Sequence, residues 1–194
     1  MLRALFAPPV DMVTTPPVGV YKSAGLGQIT DHLFVGNSKA ASDGALVAAL
    51  SITCIINATQ KATEPPLSGL EYMWVPVADC PEEPLSAHFD AVAQRIHAVA
   101  SRSGRTLLHC NAGVSRSGAL CLAYLVRYQG MTLAEAHSWA RTRRPMVRPN
   151  PGFWRQLIEY EREVHGRPTV QMIQSPVGEI PDVYEQETKD LIPC

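Results

Sequence analysis

The chain has 194 residues, with 17 basic against 18 acidic side chains, a formal charge of −1 and 46% apolar residues. That length fits one compact domain with tails and that apolar content fills a core, which excludes a disordered or fibrous chain and a small disulfide-dependent scaffold. The even charge balance also removes any whole-surface attraction for duplex nucleic acid or an anionic membrane, so an anion site must be local.

Residues 1–25 carry Pro8, Pro9, Pro16 and Pro17 without apolar periodicity and read as a flexible leader, its apolar stretch too brief for a secretory signal. A domain spanning 26–166 follows. Residues 28–30 and 33–36 predict a short hairpin, and Ser42 or Asp43 can cap a brief helix ending at Leu50. Residues 52–58 (ITCIINA) are nearly all apolar and rich in branched side chains, the pattern of a strand buried on both faces; 71–77 (EYMWVPV) predict a second strand. Leu85, Phe89, Val92, Ile96 and Val99 recur at steps of four and three, an amphipathic helix stopped by Gly104. Residues 105–109 (RTLLH) predict another strand, followed by a small-residue loop and an apolar helix over 119–128 that Gly130 closes. Thr132 with Glu135 forms a capping box opening a helix to about Arg143, and Asn150 with Pro151 opens a last helix to His165 with Gly166 behind it. Residues 167–194, with Pro168, Pro176, Pro181 and Pro193, are expected to lie extended on the surface or hang free. Alternating strands and helices with long connections predict an α/β fold, a mainly parallel mixed sheet of about five strands flanked by helices, with its ligand at the C-terminal ends of the strands.

The strand 105–109 therefore aims at His109-Cys110-Asn111-Ala112-Gly113-Val114-Ser115-Arg116-Ser117-Gly118. A cysteine at a strand end, a five-residue loop and an arginine opening a helix make a device for a tetrahedral dianion. Successive loop amides form a nest, the helix N-terminus adds positive potential, and Arg116 offers a planar fork to two oxygens. The same field favours the thiolate of Cys110, the nucleophilic form of a thiol.

The segment HCNAGVSRSG resembles the signature of the cysteine-dependent protein tyrosine phosphatase superfamily, and with 55–59 (IINAT), 75–79 (VPVAD) and 143–161 (RRPMVRPNPGFWRQLIEYE) it is most similar to the atypical small dual-specificity phosphatases. The resemblance implies that fold and a metal-independent, cofactor-free hydrolysis of phosphotyrosine and phosphoserine or phosphothreonine through a phosphocysteine. It implies Cys110 as nucleophile, Arg116 as phosphoryl clamp, Asp79 as general acid and then base, and Ser117 as the hydroxyl that helps the thiolate leave. Asn111, Ala112, Gly113, Val114, Ser115 and Arg116 would bind the phosphoryl group, with His109 and Asn57 bracing the loop. The chain departs from the subgroup at Asn111 and Gly118, where alanine is common. Mitogen-activated protein kinases are the substrates the resemblance suggests; no docking segment for them is visible.

Arg141, Arg143, Arg144 and Arg148 follow the fifth helix as a solvated helix end or, through Arg144, a second anion subsite. The histidines other than His109 (His32, His88, His97, His137 and His165) have no metal-ligand spacing and are expected at the surface or at helix caps. Five single cysteines without a CxxC pair suggest reduced thiols and a cytoplasmic or nuclear location, Cys121 in the core and Cys80 partly exposed, and no uncharged run is long enough to span a membrane. The rival readings are a phosphoinositide or RNA 5′-phosphatase, against which stands the absence of lysine in the loop, and a phosphoprotein-binding adaptor. Oligomeric state is not legible.

Overall fold

A computed structural model describes residues 25–189; the expected leader up to Ala24, and Cys194, lie outside the described residues. β1 (Leu26–Gln28) and β2 (Leu33–Gly36) form the expected hairpin, its first strand two residues earlier than the sequence suggested. β3 (Cys54–Asn57), β4 (Glu71–Trp74) and β5 (Thr106–His109) complete a five-stranded sheet in the order β1-β2-β5-β3-β4, all neighbours parallel except β1 and β2. β5 is central, pairing Gly36 with His109 on one side and Asn57 with His109 on the other.

The all-apolar strands are buried on both faces because each face meets helices. Val35, Ile56 and Leu108 point into the larger core, Phe34, Ile55 and Leu107 into the smaller one, as alternation along a strand requires. α1 (Ser38–Ser42), capped by Asn37, and α2 (Gly44–Ala49), capped by Asp43, cover the smaller side. The larger core is closed by α3 (Phe89–Ala100), α4 (Arg116–Gln129), α5 (Leu133–Arg143) and α6 (Pro151–His165). α4 is buried from Arg116 to Val126 and ends on Gly130 in the left-handed conformation, while Thr132 and Glu135 form the expected capping box on α5. Burial pushes the Cys54 thiol up to about 11 and the Cys121 thiol up to about 12, so both are inert packing groups. No helix among the described residues is long and apolar enough to cross a membrane.

The segment after Gly166, expected to lie extended on the surface or hang free, forms regular structure as far as Thr188. β6 (Met172–Ser175) and β7 (Gly178–Pro181) make an antiparallel hairpin whose Ile180 is buried, and α7 (Glu185–Thr188) follows. Tyr184 packs edge-on against His137 of α5 at 5.2 Å and Trp154 of α6 at 5.7 Å between ring centroids. His137 is thus a core residue, not a surface one, because α5 turns it under this tail.

Burial first, then the nearby Arg141 and Arg148 cations, lower the His137 pKa to about 4. The folded state keeps that ring neutral while the unfolded chain takes up a proton near the ordinary value of about 6.5. Stability contributed by the neutral ring is therefore present above pH 6.5 and lost as pH falls toward 4, about 3 kcal/mol over the window. Urea unfolding at pH 7 and pH 5 should show a falling midpoint that His137→Gln flattens; an unchanged slope in the variant would assign the loss to other groups.

Candidate active site

β5 ends at His109 and delivers Cys110 to the C-terminal edge of the sheet, where the chain turns and enters α4 at Arg116. The intervening loop is held entirely from outside. Ser38 Oγ donates to the Cys110 carbonyl at 3.1 Å, and the Ser38 amide donates to the Asn111 carbonyl at 3.1 Å. Arg144 Nη2 donates to Ala112 O at 3.1 Å and its Nε to Gly113 O at 2.8 Å, and the Arg148 amide donates to Val114 O at 3.1 Å. With each carbonyl from Cys110 to Val114 drawn outward, the amides lie on the opposite side of the chain, and those of Asn111 to Ser115 meet no acceptor among the described residues. Gly113 makes the turn possible: its φ is +69°, and a Cβ there would stand 2.5 Å from both Gly36 O and Arg144 Nη2.

Cys110 is 1% exposed, and its Sγ lies 3.2 Å from the Oγ of Ser117, the second residue of α4. Buried His109 sets its Nδ1 3.4 Å from the Cys110 carbonyl, and burial lowers its pKa, so the ring is held neutral beside the nucleophile. Arg116 is 6% exposed; its Nη1 donates to Val77 O at 3.1 Å, whereas its buried Nε has no hydrogen-bond partner. Asp79, on the chain leaving β4, places Oδ2 3.7 Å from that Nε and accepts at Oδ1 from Ser115 Oγ at 2.6 Å and from Asn150 Nδ2 at 3.0 Å. Asn111 and Ala112 form an exposed rim, Val114 is half-buried, and Gly113 and Ser115 are buried.

The structure thus brings together Cys110, Ser117, Arg116, Asp79 and the loop 111–115, and it corrects two residues. Arg144 is no free anion subsite: it is 4% exposed and spends two donor groups on loop carbonyls, which makes it a brace. Asn57 does not support this loop, since its Nδ2 lies within hydrogen-bonding distance of Lys61 O at 3.0 Å, Thr63 Oγ1 at 3.3 Å and Tyr72 Oη at 2.8 Å, acceptors that share its two hydrogens and fasten the turn after β3. The reading of the sequence missed Ser38, Arg148 and Asn150. Ser38 carries no local signal; Arg148 acts through its backbone; Asn150 was absorbed by its role as helix cap. The Arg148 side chain is itself fixed by the tail, pairing with Glu187 Oε2 at 2.7 Å with its guanidinium 4.0 Å above the Tyr184 ring.

A thiol at the floor of an amide nest, a buried cation with an unspent donor and a carboxylate above it can bind a tetrahedral dianion, attack its central atom and protonate a leaving oxygen. Comparison with known proteins agrees with that chemistry. Residues 33–163 match the sequence profile described as dual specificity phosphatase, catalytic domain. The chain is 47% identical over 191 residues to human dual specificity protein phosphatase 14, covering 98% of this chain and 93% of that protein. It is 51% identical over 170 residues to rat dual specificity protein phosphatase 18, covering 88% and 83%. The crystal structure of human DUSP28 superposes with a TM-score of 0.70 at 34% identity, covering 78% of this chain and 97% of that one. A mouse dual specificity phosphatase structure complexed with zinc tungstate gives 0.71 at 31% identity, covering 81% and 95%.

Proposed function

Since this chain belongs to the dual specificity phosphatase family and is a protein phosphatase of that class, we propose that it acts through Cys110 in two transfers. In the first, Cys110 Sγ attacks phosphorus while the bond to the tyrosine, serine or threonine oxygen breaks, and Asp79 gives that oxygen a proton. In the second, Asp79 takes a proton from water, the resulting oxygen attacks phosphorus, and the sulfur departs as thiolate, receiving the hydrogen bond of Ser117. The loop amides and Arg116 hold the equatorial oxygens throughout, where charge spreads in the transition state. The observation that carries this reading is the 3.2 Å approach of Ser117 Oγ to Cys110 Sγ beneath a loop whose carbonyls all face away.

Alkoxide is a poor leaving group, so Asp79→Asn should lower kcat/KM for phosphoserine and phosphothreonine peptides by about 10²-fold. An unchanged rate in a steady-state assay would remove Asp79 from the reaction. Activation loops doubly phosphorylated on threonine and tyrosine, such as those of mitogen-activated protein kinases, are the substrates to assay first; the support is the family resemblance alone, since Arg144 offers no second anion site. Free Cys54, Cys80, Cys110 and Cys121 support a reducing compartment, the cytoplasm or nucleus. The lysine-free loop 111–115 favours phosphoprotein over phosphoinositide substrates.

A further inference from the structure

We propose that Asn150 is a positioning residue for the general acid, one that with Ser115 decides which oxygen of Asp79 carries the transferable proton; this rests on the reading of Asp79 as that acid. Asn150 stands where three parts of the site meet. Its Oδ1 caps α6 by accepting the Phe153 amide at 3.0 Å, which fixes the orientation of the side-chain amide and turns Nδ2 toward Asp79 Oδ1, 3.0 Å away. Its backbone amide donates to Ser115 Oγ at 3.1 Å, leaving the hydroxyl proton of Ser115 for the same Asp79 Oδ1 at 2.6 Å. Two donors therefore converge on Oδ1. A carboxyl oxygen that already accepts two hydrogen bonds is a poor place for the proton, so the proton sits on Oδ2. Oδ2 is the oxygen beside Arg116, 3.7 Å from Nε, and therefore beside the phosphoryl group that Arg116 grips.

The surrounding contacts make this orientation rigid. A Cβ on Gly152 would stand 1.9 Å from Pro81 O, so the first turn of α6 lies flush against the acid-bearing segment. One turn on, Gln156 accepts the Ser86 amide at 2.7 Å and donates to Glu83 O at 2.9 Å, while Glu83 Oε2 accepts the Ala78 amide at 3.1 Å. Asn150 is thus the point at which a segment stapled to α6 is referenced to the loop that holds the phosphoryl group. In the forward step the Oδ2–H bond breaks as the leaving oxygen takes the proton; in hydrolysis Oδ2 receives the proton of water, and Oδ1 keeps both donors throughout.

The test is the dependence on leaving group. Asn150→Ser keeps a capping oxygen and the backbone donor but cannot reach Asp79. It is assayed on a phosphothreonine peptide, which needs the acid, and on 4-nitrophenyl phosphate, whose phenolate leaves without one. The expected result is a loss in kcat/KM of about tenfold on the peptide and less than about twofold on the aryl ester, with an unchanged thermal midpoint. Asn150→Thr, also a capping residue but lacking the amide donor, should give the same selectivity. Equal losses on both substrates, or none on either, would overturn the proposal. Asp79→Asn, run beside them, separates the two ideas. If it alone shows the selective loss, Asp79 is the acid and Asn150 does not position it; if it too loses equally on both, the acid assignment fails and the proposal with it.

Discussion

Cys110→Ser should abolish phosphate release, by on the order of 10⁴-fold or more, while the protein stays folded and still binds phosphopeptide. The exchange is nearly isosteric at a site only 1% exposed, and the hydrogen bond to Ser117 can be kept, so packing has no reason to change. What disappears is the nucleophile: a sulfur at this position can attack phosphorus directly, whereas a serine hydroxyl needs an adjacent base to do so. The loop has none, since the Nδ1 of His109 is engaged with the Cys110 carbonyl and not with its side chain. A phosphate-release assay together with retention of a phosphopeptide on immobilised protein checks both halves. Residual turnover above about 1% would point to a different nucleophile, given the size of the loss expected.

Arg116→Lys should cost about 10³-fold in kcat/KM although it preserves the charge. The guanidinium is buried with Nη1 fastened to Val77 O and Nε unspent, so one rigid plane joins the base of the acid segment to the position of the phosphoryl oxygens. An ammonium is a point donor. It can satisfy Val77 O or the substrate, not both in a fixed geometry, and it loses the approach to Asp79 Oδ2. Both kcat and KM should worsen, because the same fork serves binding and transition state. A drop confined to KM would mean that Arg116 acts only in binding.

Much of this fold could be read from the chain because its central strands are mostly apolar and its longer helices carry strong end signals. Thr132 with Glu135, Asn150 with Pro151, and the left-handed glycines Gly130 and Gly166 place boundaries to within a residue. α1 was lost because five residues are too few to show a period. The hairpin and helix of the tail were not legible because its prolines break up any strand or helix pattern, yet Pro176 lies in the turn of the hairpin and Pro181 at the end of β7, positions that tolerate a missing amide. Cys110 and Arg116 stand out in the sequence because their chemistry and spacing are written in the side chains, while Asp79 and Ser117 come from the family resemblance; the structure brings the four side chains to one place. Arg144 and Asn57 were misassigned because a sequence shows that donors exist and not where they are spent, and Ser38 contacts the loop through a pairing with no local trace.

That last pairing bears on how the protein acquires its activity. Ser38 reaches the Cys110 carbonyl across 72 residues of chain, and Arg144 reaches the Gly113 carbonyl across 31. Contacts of such separation require the intervening chain to be ordered, as the equally distant β2–β5 pairing also does. The segment 110–116 has no means of holding its own curvature before then. Catalytic competence accordingly depends on both braces being in place, so the return of phosphate release on refolding should report the assembled domain and not merely a collapsed chain.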